Sequence, residues 1–197
     1  MKTKEGHAGH EDWLGEDSRQ VVHAAFGAAV MIAVVMFGKD FALTALFSLF
    51  CVFLLMVSWS MTGRRNPLFD LLMRRFERKV DIPGKGALMY SVGVMFILTF
   101  SSSLAFALAG IGILAFGDAI STMVGIRGKR RLPWNAKKTW EGLAGFVVAS
   151  AIVAFPLIGW IGVAYGLLLG VVETLPTDLD DNLLISVCAV LMNLILK

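Results

Sequence analysis

The chain has 197 residues, 57% of them hydrophobic and only 17% charged, with a mean hydropathy of +0.73 and a formal net charge of +3. A soluble domain of this size runs nearer half apolar and a quarter charged, and here the apolar excess is gathered into long runs. An ordinary soluble domain and a disordered chain are therefore excluded, and no nucleic-acid partner is expected. Both cysteines, Cys51 and Cys188, fall inside apolar runs without a pair spacing for metal or redox work, so they are read as core residues. The segment Met1 to Asp17 is polar and mixed in charge, unlike a cleaved signal peptide.

In chain order the apolar runs predict an all-α, polytopic membrane bundle of about seven transmembrane helices. They follow a polar N-terminal segment (1–20) and form one domain (21–197). The expected helices are Val21–Gly38, Phe41–Met61, Gly86–Phe100, Ser103–Asp118, Leu143–Phe155, Ile158–Val172 and Leu183–Leu196. Ser101-Ser102-Ser103 and Phe155-Pro156 read as tight turns that make hairpins of their flanking helices. Between the second and third helices, Leu68, Phe69, Leu72, Phe76 and Val80 share one helical face, with Arg74, Arg75 and Arg78 on others. That pattern predicts an interfacial helix over residues 66–80. In the sixth helix, Gly162, Gly166 and Gly170 recur at the spacing of close helix packing, which would also permit a homodimer.

Charge predicts the orientation. The loop 63–85 carries Arg64, Arg65, Arg74, Arg75, Arg78, Lys79 and Lys85, and the loop 119–142 carries Arg127, Lys129, Arg130, Arg131, Lys137 and Lys138. With seven spans these loops, the N-terminus and the acidic loop 173–182 share one side, and the opposite side receives only Lys39 and Lys197. The positive-inside rule makes the crowded side cytoplasmic.

Three stretches on that side carry the candidate chemistry. Asp118 ends an apolar run, between the small residues Gly117 and Ala119 and ahead of Gly125. An acid at such depth is costly and usually faces a cavity, a metal or a cation. Lys137-Lys138-Thr139-Trp140-Glu141-Gly142 opens the next helix, where lysines, a hydroxyl and free backbone amides can hold phosphate oxygens. Glu141 is expected to brace a lysine or bind a metal. The run Glu173–Asn182 holds Glu173, Asp178, Asp180 and Asp181, an oxygen-rich cluster suited to Mg²⁺, with Asp181 or Asn182 also placed to cap the last helix. Weaker signals come from Arg19 and His23, which share a face at i,i+4, and from the turn Pro83-Gly84-Lys85-Gly86. His7 and His10 sit in the polar tail and are given no role. No phosphate-loop or protein-kinase signature is present, so phosphoryl transfer would need a nucleotide site built from helix ends.

Taken in order, Arg19-x-x-x-His23, Pro83-Gly84-Lys85-Gly86, Gly117-Asp118-Ala119 through Gly125, Lys138-Thr139-Trp140-Glu141-Gly142, and Glu173 with Asp180-Asp181-Asn182 resemble the polyprenol kinase family. That family includes dolichol kinase, phytol kinase and the CTP-dependent diacylglycerol kinase. Gln20 departs from the pattern, since a basic residue is expected after the arginine. The region from Asp118 to Gly142 also resembles phosphatidate cytidylyltransferases, but the tail Glu173–Asn182 lacks their closing signature.

The resemblance implies a CTP-dependent kinase that phosphorylates the hydroxyl of a membrane lipid alcohol such as a polyprenol, phytol, geranylgeraniol or diacylglycerol. It gives catalytic roles to Asp118, Glu173 and Lys138, and Mg²⁺ to Asp118, Asp180 and Asp181. The nucleotide falls to Lys137, Lys138, Thr139, Glu141, Gly142, Gly117, Gly125, Arg19, His23 and Lys85. The alternatives are transfer of a cytidylyl group to phosphatidic acid and a small transporter. A transporter should spread its acids through the midplane of its spans, whereas the acids here cluster on one face.

Overall fold

The computed structural model describes residues 5–63, 67 and 84–195, with side chains from Gly15 onward. These residues form seven helices and no strand: α1 (Glu5–Phe37), α2 (Lys39–Met61), α3 (Lys85–Phe100), α4 (Leu104–Gly125), α5 (Trp140–Ile158), α6 (Trp160–Glu173) and α7 (Asp181–Ile195). Within α4, residues Ile113–Gly117 form a π-helical turn between two α-helical segments.

The helices alternate in direction. Gly38, at φ 86°, reverses the chain between α1 and α2, a backbone angle that β-carbons disfavour. Ser103 caps α4 by accepting a hydrogen bond from the Phe106 amide at 3.3 Å. One end of the bundle therefore collects the starts of α1, α3, α5 and α7 and the ends of α2, α4 and α6.

α4 is the central helix. In its membrane-length window 72% of residues are buried, against 22% in α1, 17% in α2 and 22% in α5. Ala109, Ile111, Ile113, Leu114 and Ala115 are sealed on every side, while Ile32, Val35, Phe47, Leu55 and Ile152 point outward uncovered. An apolar coat of this extent has no place in water and suits hydrocarbon. The segment Gly15–Phe37 of α1, and α2, α4 and α5, are long and apolar enough to cross a bilayer, the pattern of an integral membrane protein. The other three helices are apolar but have only 16, 14 and 15 residues. At 1.5 Å per residue they run about 21–24 Å, short of the ~30 Å hydrocarbon layer. The sequence pattern thus places all seven helices, and length alone qualifies four of them as spans.

Several boundaries differ from expectation. α1 begins at Glu5 inside the polar segment, where no proline stops a helix between Glu5 and Val21. α4 continues past Asp118 to Gly125, so the loop behind it is only Ile126 to Thr139. Pro156 lies inside the last turn of α5, and the reversal occurs at Gly159, whose φ of 62° closes the helix. Asp180 caps α7, accepting from the Asn182 amide at 3.1 Å, where Asp181 or Asn182 was expected. The glycine stripe of α6 is used within the chain. A β-carbon on Gly162 would lie 2.6 Å from the Ala154 carbonyl oxygen, and one on Gly166 2.6 Å from Ser150 Cβ, both on α5. That stripe is therefore spent on the α5–α6 contact and is not free to carry a dimer. The expected interfacial helix over 66–80 lies outside the described residues except for Pro67.

Candidate functional site

A cleft of about 510 Å³ opens at the end of the bundle where α1, α3, α5 and α7 start. It brings together Arg19 from α1, Lys85 and Gly86 from α3, Asp118, Ser121, Thr122 and Gly125 from α4, Lys137, Lys138 and Thr139 from the following loop, Gly142 from α5, Glu173 from α6, and Asp180, Asp181 and Asn182 at α7. Its volume falls within the roughly 300–1,000 Å³ typical of small-molecule sites.

Asp118 follows directly on the π-turn of α4 and is buried, yet it lines the cleft. A π-turn inserts a residue into the helical register, a device common at functional sites. With the register so set, Asp118, Ser121, Thr122 and Gly125 fall on one face of the α4 end. His23 stands behind Asp118, its Nε2 3.8 Å from Asp118 Oδ2.

Lys138 is the electrostatic junction of the site. Its ammonium donates to Glu173 Oε1 at 2.5 Å and to Asp181 Oδ2 at 2.9 Å, tying the loop to the end of α6 and the start of α7. The Ser121 hydroxyl donates to the same Glu173 oxygen at 3.2 Å. Burial works against the Lys138 charge, but Glu173 and Asp181 overcome it and hold the ammonium above the ordinary lysine range. Glu173 is 1% exposed, so it depends on these donors.

The loop that delivers Lys138 is itself fixed. Its two arms meet in an isolated bridge, with Leu132 N–H donating to the Lys138 carbonyl (3.0 Å) and Trp140 N–H to the Arg130 carbonyl (2.9 Å). The Trp134 indole donates to Thr174 Oγ1 at 3.2 Å and the Asn135 amide to the Thr174 carbonyl at 3.1 Å, pinning the loop onto the end of α6. Thr139 caps α5, accepting from the Gly142 amide at 3.1 Å and donating to the Gly125 carbonyl at 3.3 Å. A β-carbon on Gly142 would meet Ser121 O at 3.0 Å and Gly125 Cα at 3.1 Å, so these glycines let α4 and α5 touch.

Not every expected residue joins the cleft. The Glu141 carboxylate turns away and accepts from the backbone amides of Lys129 and Arg130 at 3.2–3.3 Å. Gly117 packs against α5, where a β-carbon would lie 2.6 Å from Ser150 Oγ. Arg19 lines the cleft while paired with Glu16, and the unexpected Gln20 is buried with its amide on Glu16 at 3.0 Å. Sequence reasoning missed Thr122 and the role of Ser121. Their helical spacing from Asp118 was the available signal.

No family model matches the chain, and no solved structure matches it. It is 26% identical over 175 residues to an uncharacterised protein of Methanocaldococcus jannaschii, covering 86% of this chain and 88% of that protein. It is 29% identical over 132 residues to a probable chloroplastic phytol kinase of Triticum aestivum and 31% identical over 131 residues to a chloroplastic farnesol kinase of Arabidopsis thaliana. Each plant alignment covers 57% of this chain, and the chain spans less than half of those proteins, 44% and 43%. These distant similarities support placing the chain with a polyprenol kinase-like family.

Proposed function

We propose that the protein is a lipid-alcohol kinase that takes its phosphoryl group from CTP. The observation that carries the reading is the cleft itself. Asp118, Glu173, Asp180 and Asp181 face the cations Arg19, Lys85, Lys137 and Lys138 at one end of an otherwise apolar bundle. Phosphoryl transfer asks a protein mainly for positioning and charge neutralisation, and this arrangement offers both beside a membrane-dissolved substrate. Similarity to the plant phytol and farnesol kinases supports an isoprenoid alcohol as acceptor.

In the proposed reaction the alcohol oxygen attacks the γ-phosphorus of CTP. The bond from that phosphorus to the β–γ bridging oxygen breaks, CDP leaves, and the hydroxyl proton passes to a cleft carboxylate, Asp118 or Glu173. Lys137 and Lys138 take the triphosphate, with Arg19 and Lys85 at the rim. Thr139 acts by capping α5 and so holding Lys138 in place.

Among the described residues no three His, Cys, Asp or Glu side chains form a ready metal cage. Mg²⁺ needs only one or two carboxylates when substrate phosphates and water complete its shell. Asp118 and Asp180 fit that mode, and Asp181, shared with Lys138, would join on ligand binding. Bound there, Mg²⁺ would neutralise phosphate charge. The proposed orientation puts the cleft and the N-terminus in the cytoplasm, because the basic residues described at Arg127–Lys138 lie at this end and, among the described residues, Lys39 alone lies at the other.

The test is purified protein in detergent with Mg²⁺, labelled CTP or ATP, and a panel of lipid alcohols and phosphatidic acid. A lipid monophosphate with release of CDP is the expected product. A CDP-lipid with pyrophosphate would move the protein to the cytidylyltransferases, and no turnover with any lipid would refute the kinase.

A further inference from the structure

His23 was expected to contact the nucleotide, but on α1 it lies behind Asp118, packed toward α3 and α4. Its side chain is 11% exposed, its Nε2 has no hydrogen-bond partner, and that atom points to Asp118 Oδ2 across 3.8 Å. The ring packs against Tyr90 of α3 with centroids 3.7 Å apart and planes tilted by 44°, which limits its rotation. One turn further along α1, Gly27 brings the two backbones into contact. A β-carbon there would lie 2.3 Å from Ala115 Cβ and 2.5 Å from Tyr90 Oη. Ala115 sits in the π-turn that leads into Asp118. Gly27 therefore sets the approach of α1, Tyr90 sets the ring, and both aim a buried, unpartnered nitrogen at the carboxylate that enters the cleft.

We propose that His23, held by Tyr90 and by the close approach of α1 at Gly27, is a positioning residue for Asp118 and makes no contact with the nucleotide. The role of Asp118 as a divalent-cation ligand is part of the kinase reading, on which this inference rests. An unsatisfied nitrogen in an apolar interior is costly. Shortening this 3.8 Å contact to hydrogen-bond length would fix the carboxylate from its inner side. Groups that orient a cation ligand in this way are typically worth about 10–100-fold in metal affinity or activity.

The full chain in detergent is assayed as His23→Phe, His23→Gln and Gly27→Ala, with steady-state kinetics in CTP and with Mn²⁺ binding in the presence of CTP followed by electron paramagnetic resonance. Thermal midpoints identify any variant that fails to fold. His23→Phe is expected to lower kcat and Mn²⁺ affinity each by about 10–100-fold with the KM for CTP within about 3-fold of the parent. His23→Gln, which keeps a donor near the Nε2 position, restores most of both, and Gly27→Ala shows the same split as His23→Phe. A rise in the KM for CTP with kcat preserved would make His23 a nucleotide contact and overturn the proposal, as would a silent His23→Phe. If the parent makes no lipid phosphate, the kinase reading fails, and the Mn²⁺ arm then decides alone. A loss in His23→Phe of about 10-fold sustains the positioning role, whereas equal affinity, or no binding by the parent, overturns it.

Discussion

Replacing Lys138 with Met removes the one ammonium that serves both Glu173 and Asp181. The two arms are unequal. The Asp181 side chain is 42% exposed, so its arm is screened and worth about 0.5 kcal/mol. The Glu173 side chain is 2% exposed and would keep only the Ser121 hydroxyl at 3.2 Å as donor. Leaving a buried carboxylate uncompensated costs about 3 kcal/mol. Together the loss is about 3.5 kcal/mol, which for a chain of this length lowers the thermal midpoint by about 7–14 °C. The assay is the unfolding midpoint in detergent, followed by tryptophan fluorescence. Adding Glu173→Gln to the Met variant removes the orphaned charge and should recover about 2 kcal/mol, a reversal that a simple loss of packing would not give. A Met variant within about 2 °C of the parent, or a double variant less stable than the single, would refute the reasoning. The pH dependence has a fixed sign. The Lys138 pKa is raised above its unfolded value, so the stability it contributes is complete below about pH 10.4 and fades as pH rises through the higher folded value. The midpoint gap between parent and Met variant should therefore hold constant from about pH 7 to 9 and narrow only in strong alkali.

Asp118→Asn is expected to abolish turnover, by at least about 10²-fold, while the protein still inserts and purifies like the parent; normal lipid-phosphate synthesis would remove Asp118 from the mechanism. Glu141→Gln should leave the KM for CTP within about 3-fold and kcat nearly unchanged, because the carboxylate faces the Lys129 and Arg130 amides; its cost should appear as a small fall in the thermal midpoint. Gly162→Ala puts a β-carbon 2.6 Å from a backbone carbonyl of α5 and should destabilise by about 1–3 kcal/mol, with no change in oligomeric state by light scattering.

The parts of this architecture that composition controls were legible in the sequence. Apolar runs broken by glycine, serine and charge placed seven helices, because in hydrocarbon a chain must satisfy its backbone internally. Asp118 stood out because a carboxylate in such a run is too costly to be incidental, and Glu173, Asp180 and Asp181 stood out by their number. Geometry that leaves no compositional trace was not legible. The π-turn at Ile113–Gly117 is made of ordinary helix-compatible residues, so α4 reads as a run ending at Asp118 although it continues to Gly125. Glu141 and Gly142 are adjacent in sequence but about 100° apart around α5, and only Gly142 meets the cleft. Tyr90 is one of three aromatics in an apolar helix, with Phe96 and Phe100, and its position against His23 depends on a tertiary contact that Gly27 permits.

On the proposed kinase reading, the unequal helix lengths would let one cleft serve a water-soluble and a membrane-dissolved substrate. α5 and α6 leave the same turn at Gly159, but α6 has 14 residues against 19 in α5, so it stops about 7 Å short of the start of α5. Glu173 lies at that recessed end. Asp118 is deeper still: its neighbour Gly117 packs against Ser150 and Phe146, about 10–15 Å along α5 from Trp140. Arg19, Lys85 and Lys137 ring the mouth. The site therefore grades from cations at the mouth, through the Lys138–Glu173 junction, to a carboxylate among apolar helices. On the proposed kinase reading, a triphosphate entering from water would meet the cations first and extend its terminal phosphate downward. A hydroxyl carried on an apolar chain need rise only to the level of Asp118. The short α6, which by length alone looks inadequate as a membrane span, is what sets Glu173 back from the mouth of the cleft.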